Sequence, residues 1–208
     1  MMRILVTREL AKALGRHVKP ARTGEADLLW RADLKIIGME PCVVLQEQQT
    51  QYILLLCGLS GEDFARFPQL LQDRFWRELA SICQQAGLYD KATLIESLQA
   101  LSEEQFYHLD PEPPEEGKII SVMEKLERRV LHDDLPLPTD GKAAFDFGFL
   151  INTRLSKQAA QNGDSNPAEG LGNLCLNLIE MRQEAEKVQS LVVSVDDNVV
   201  SVDFSRRH

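Results

Sequence analysis

The sequence predicts an α+β fold, a small antiparallel sheet packed with about five to six helices. Three observations carry this. Short apolar runs alternate near the start of the chain, longer stretches repeat apolar residues every three or four positions, and the composition, 44% hydrophobic and 26% charged, is that of an ordinary globular protein. A chain of 208 residues is long enough for one domain with its own core.

Residues Met2–Val6 read as a strand, and Thr7 is placed to cap a helix running to Gly15. A connection over 16–27, with Pro20 and Gly24, leads to three strands at 30–37, 42–47 and 51–57. The turn residues Gly38-Met39-Glu40-Pro41 and Gln48-Gln49-Thr50 between them suit a meander. Ser60-Gly61-Glu62-Asp63 is an N-cap signature for a helix reaching Ala86, with a break near Pro68. Phe64, Leu71, Phe75, Leu79, Ile82, Cys83 and Ala86 define its inner face, with Trp76 at the margin.

After Gly87, a short helix at 91–101 and an extended piece, Gln105–Leu109, precede the breaker run Asp110-Pro111-Glu112-Pro113-Pro114, a subdomain seam near 110–116. Ile119, Val122, Met123, Leu126 and Val130 then form a second helical stripe. A buried segment at 142–153 is helix or strand, the helix starting near Asp140. Asn166 and Pro167 start a last helix to about Gln189, its buried face running from Leu171 through Met181 to Val188. The ladders at 191–195 and 199–204 read as a terminal hairpin.

The net charge of −9 opposes a phosphate backbone overall, so nucleic acid is an unfavoured partner. Arg3, Arg8, Lys12, Arg16, Lys19 and Arg22 nonetheless concentrate positive charge near the start. No apolar run suits a signal peptide or a membrane span, which implies a cytoplasmic protein. The four cysteines, Cys42, Cys57, Cys83 and Cys175, lie far apart and are expected as free thiols.

No motif carries chemistry. Gly58-Leu59-Ser60-Gly61 is one position short of a nucleophile elbow, and a helix cap accounts for Ser60. His132-Asp133-Asp134 lacks distant partners for a metal, Asp164, Asn166 and Glu169 lack the ligand series of a calcium loop, and Gly170-x-Gly172 lacks the strand and third glycine of a dinucleotide fingerprint. No catalytic residue, metal or cofactor is therefore expected. The mild candidates for a pocket are Trp30, Tyr52 and His108. Aromatic residues on the 60–86 helix belong by default to the core, with Phe67 and Trp76 as candidate interface anchors; Val200 and Val202 are candidates for pairing a sheet edge with another chain.

Thr7, Leu10, Lys12 and Leu14, followed by Trp30-Arg31-Ala32-Asp33-Leu34, Cys42-Val43-Val44-Leu45, Tyr52, Gly58-Leu59, Asp63-Phe64 and Phe75, resemble the bacterial DUF6933 family of unknown function over roughly the first ninety residues. The resemblance implies an α+β fold and carriage on mobile bacterial DNA, and assigns no site. The expected function is that of a non-catalytic interaction protein, with a homodimer as its simplest form. The alternatives are an enzyme or small-ligand protein with a scattered pocket and, below it, a nucleic-acid accessory protein.

Overall fold

The computed structural model describes residues 1–20, 26–85, 92–111, 117–154 and 166–196. Its strands are β1 (Met2–Val6), β2 (Leu28–Ile37), β3 (Glu40–Glu47), β4 (Ile53–Cys57) and β5 (Gln105–Leu109). The helices are α1 (Arg8–Leu14), α2 (Gly61–Ala65), α3 (Phe67–Gln85), α4 (Ala92–Leu101), α5 (Lys118–Leu131), α6 (Gly141–Asn152) and α7 (Pro167–Asp196). The α+β class holds, and the meander is antiparallel as expected, but the sheet is mixed. Its order is β4-β3-β2-β1-β5, with β1 parallel to both β2 and β5. The connections allow this: parallel neighbours need a crossover, and α1 lies between β1 and β2 as α2, α3 and α4 lie between the meander and β5.

Alternation along the strands splits the core between two faces of the sheet. Met2, Ile4 and Val6, with Leu28, Trp30, Val43, Leu45, Leu54 and Leu56, meet Leu10 and Leu14 of α1, the inner face of α3, and Leu171, Cys175 and Leu178 of α7. Val44, Cys42, Ile53, Leu55 and Cys57 point the other way, against Ile119, Val122, Met123 and Leu126 of α5 and Ala144 of α6. Burying a Leu- or Val-sized side chain on either face stabilises the fold by roughly 1.5–3 kcal/mol. The elements on both sides of the expected seam therefore pack on one sheet; residues 112–116 lie outside the described residues.

The turns follow local chemistry. Gly38 and Met39 both have positive φ, 57° and 76°, inside the pair Ile37↔Glu40, which is a two-residue type I′ hairpin. In the next turn the buried Glu47 carboxylate accepts from the Thr50 amide at 2.6 Å and from its hydroxyl at 2.8 Å. Ser60 and Asp63 form a reciprocal capping box at the start of α2. The helix breaks at Arg66, just before Pro68. Asp140 caps α6, accepting from the Ala143 amide at 2.8 Å, so the segment is helix and not strand. Thr7 precedes α1, but its side chain makes no cap bond. Its hydroxyl donates instead to Asp33 at 2.6 Å and ties β1 to β2.

Two expectations at the end of the chain are corrected. Residues 191–195 continue α7 to Asp196 in place of a hairpin strand, because an established helix adds a hydrogen bond for each further residue while a new strand needs a partner. The second strand of that hairpin, with Val200 and Val202, lies outside the described residues. The buried face of α7 ends near Ile179; Met181 is 57% exposed and Ala185 is also exposed, so the stripe runs past the body it packs on.

Two buried polar arrangements fasten α3 and α6 to β4. The Tyr52 hydroxyl donates to Glu78 at 2.6 Å, Glu78 pairs with Arg74, and Arg74 donates to the Gly141 carbonyl. Burial pushes the Glu78 carboxyl up, against the Arg74 charge and the Tyr52 hydrogen bond that favour its ionised form. Asn152, fully buried, accepts from the Ile53 amide at 2.8 Å and donates to the Ile53 carbonyl at 2.7 Å. Replacing Glu78 with Ala strands the Arg74 charge and should cost about 3–5 kcal/mol in urea unfolding. Asn152→Ala leaves two backbone groups of Ile53 without partners and should cost about 2–4 kcal/mol in the same measurement.

Candidate functional site

The residues expected to line a pocket do not converge. Trp30, 1% exposed, packs edge-on against Phe75 with centroids 5.8 Å apart, in the same core as Tyr52. His108 sits on the opposite face of the sheet, where β5 alternates away from Tyr107. Its Nδ1 lies 3.1 Å from the Lys19 carbonyl, a bond that holds the 15–20 connection against β5. Phe67 is fully buried between Phe64 and Tyr107. Trp76 is half-buried, with the Arg77 guanidinium over its ring at 4.8 Å. Ser60 is occupied in its capping box. Among the described residues no group of His, Cys, Asp or Glu could hold a metal ion. The N-terminal basic residues are dispersed, Arg3 on the sheet and Lys12 paired with Glu9 at 2.8 Å; Arg22 lies outside the described residues.

The structure instead assembles a groove of about 540 Å³ between α5 and α6. Its floor is apolar: Val122 on α5, with Phe147, Leu150 and Ile151 on α6. Leu135 and Leu150 leave 45% and 56% of their surface exposed, an apolar ledge open to solvent. Around this floor stand Lys118, Lys125, Arg128, Arg129 and Arg154, against the single carboxylate of Asp133. In a protein of net charge −9 this is a reversal of local sign.

The helical repeat produces the reversal. Lys118, Val122, Lys125 and Arg129 recur at three- and four-residue steps and share one stripe of α5, whereas Glu124 and Glu127 point elsewhere, Glu127 to Lys35 at 2.8 Å. Arg129 is held in place by a bond from Nε to the Pro136 carbonyl at 2.7 Å and by its position 5.9 Å from the centre of the Phe147 ring. Lys118 reaches back to the Gln51 carbonyl in the turn before β4. Burial, and then the neighbouring Lys125 charge, hold its ammonium down at about 8. Among the described residues no carboxylate forms an ion pair with Lys125, Arg128 or Arg154. Crowded cations on an apolar floor suit a ligand that carries negative charge beside an apolar surface.

The groove was not anticipated because the charges of α5, read one after another, alternate in sign and look like a solvated face. Sorting them by the helical repeat separates the signs. The α6 contribution, Phe147, Leu150 and Ile151, depends on which helix lies alongside, and no local spacing announces that.

These features describe an α+β protein with a cationic, apolar-floored groove on one side of a mixed sheet. The sequence model of the family described as Domain of unknown function (DUF6933) matches residues 3–106, and the chain belongs to that family. The matched segment takes in β1 through β4, α1 through α4 and the start of β5; α5 and α6, which build the groove, follow it. A search of curated proteins finds no match. Among the described residues no helix is long and apolar enough to cross a membrane.

The depressed Lys118 has a consequence for stability. Between about pH 8 and its ordinary value of 10.5, the unfolded chain binds a proton that the folded one does not, so this residue makes stability rise with pH across that window. Urea midpoints compared for the wild type and Lys118→Met at pH 7, 9 and 10.5 should show the variant relatively more stable at the lowest pH, with the advantage gone at the highest.

Proposed function

We propose that the protein is a non-catalytic interaction protein whose α5–α6 groove receives an acidic, amphipathic segment of a protein partner. The observation that carries this reading is the concentration of five cations and one carboxylate around an apolar floor, on a chain that is acidic elsewhere. Opposite charge steers the encounter and fixes orientation, while Leu135, Leu150 and the half-buried Phe147 supply apolar area to bury. An acidic helix that presents leucines on one face has both features, and helix-in-groove recognition is a common way to use them. The chain, on this reading, is a cytoplasmic bacterial protein.

A second reading has the groove holding a small anionic molecule, since about 540 Å³ lies within the size of ordinary ligand pockets. A homodimer, in which the segment comes from a second copy, is the third.

Fluorescence anisotropy with a labelled acidic amphipathic model peptide separates these. The expected outcome is saturable binding that weakens with salt, falls as pH rises through 8, and drops about tenfold or more in the double variant Lys125→Glu/Arg128→Glu. Equal binding of a basic peptide of the same apolar face, or no change in the double variant, overturns the proposal. Light scattering over a concentration series then shows whether the same variant dissolves a dimer.

A further inference from the structure

Two of the four cysteines face each other across neighbouring strands. The register pairs Cys42 of β3 with Cys57 of β4. Along this ladder the Gly58 amide donates to Pro41 at 3.0 Å and the Glu47 amide to Tyr52 at 2.9 Å, so those two positions belong to the hydrogen-bonded set. Pair types alternate in an antiparallel ladder, which makes Cys42–Cys57 a non-hydrogen-bonded pair. Such pairs bring Cα atoms to about 4.5 Å with their side chains closest, inside the roughly 4.4–6.8 Å span that a disulfide requires.

The two thiols are unequal in access. Cys42 is fully buried, with Sγ 3.7 Å from the Glu40 carbonyl. Cys57 is also buried, at 5% exposure, but it borders a cleft of about 340 Å³ that carries Arg74 and Arg77 together with Asp63, Asp73 and Asp140. The neighbouring Cys57 thiol eases loss of the Cys42 proton, whereas Cys42 and burial push the Cys57 thiol up. Cys83 and Cys175 lie on α3 and α7 and do not line this cleft.

From this geometry we infer that Cys42 and Cys57 are a two-electron redox pair, oxidised through Cys57 by a hydroperoxide entering the cleft and closed into a cross-strand disulfide. The Cys42 thiolate takes the Cys57 proton as the Cys57 sulfur attacks the terminal oxygen of the hydroperoxide. An S–O bond forms, the O–O bond breaks, and the departing alkoxide takes a proton and leaves as alcohol or, from hydrogen peroxide, as water. Cys42 then attacks the Cys57 sulfur, forming the S–S bond and expelling the hydroxyl as water. The pair loses two electrons and the hydroperoxide gains them. A dithiol reductant reverses the closure by exchange, becoming a disulfide itself.

The test uses the intact wild-type protein exposed to a modest excess of hydrogen peroxide, then quenched, denatured, alkylated and mapped by mass spectrometry. The expected product has lost two hydrogen atoms, joins the Cys42 and Cys57 peptides, and returns to four alkylatable thiols with dithiothreitol. Cys83 and Cys175, which lie outside the cleft that Cys57 borders, should react at least about tenfold more slowly. In Cys42→Ser the same treatment should leave Cys57 as a sulfenic acid trapped by dimedone. If Cys42 and Cys57 remain alkylatable while the oxidant reacts elsewhere, or if the bridge forms between Cys83 and Cys175 or between molecules, the proposal fails.

Discussion

A single strand sets the terms for the rest of the chain. β1 lies inside the sheet with parallel neighbours on both sides, β2 and β5. A parallel neighbour cannot be reached by a tight turn; the chain must cross a face of the sheet to return in the same direction. The first crossover carries α1. The second follows the meander and carries α2, α3 and α4, which is why those helices share one core with Met2, Ile4 and Val6. Just past the carboxyl ends of β1 and β5, polar side chains tie both to the middle of β2: Thr7 bonds to Asp33, and Asp110, almost wholly buried, pairs with Arg31 at 3.2 Å.

The other face is organised by different means. α5 packs through a stripe of four buried residues, while α6 is fixed as much by polar contacts as by apolar ones. Arg74 bonds to the Gly141 carbonyl at the beginning of α6, and Asn152 grips Ile53 at its end. With both ends of α6 fixed to the body, its spacing from α5 is fixed too, and with it the width of the groove. The Arg74–Glu78 pair is a weak source of net stability in itself, since desolvation offsets much of the attraction, but it specifies where the helix sits.

Much of this was legible in the sequence, and the misses have physical causes. β1, the meander, the Ser60 cap and the stripe of α5 rest on interactions within a few residues of one another, and those are written in spacing. The parallel placement of β1 was not: its partner Tyr107 is more than a hundred residues away, and Met2–Val6 reads the same in either orientation. Phe67 shows a different ambiguity. Aromatic side chains fill cores and anchor interfaces alike, and only the fold shows that its ring is buried against Tyr107. The cysteine pair was missed because spacing along the chain says nothing of register; Cys42 and Cys57 meet only because the turn at 48–51 has the length it has. None of the three residues proposed for a pocket lines the groove, because large amphipathic side chains mark cores as readily as sites.

The hydrogen bonds from Asn152 to Ile53 bear on what the family segment can be by itself. β4 reads Ile53-Leu54-Leu55-Leu56-Cys57, five successive buried apolar residues at the outer end of the sheet. Such a strand with a bare flank is a template for pairing with other chains and for aggregation. Here the flank is covered by α6, which lies beyond residue 106, where the family match ends. In this chain residues 3–106 therefore carry a sticky border that their own helices do not shield, and a helix outside that segment does.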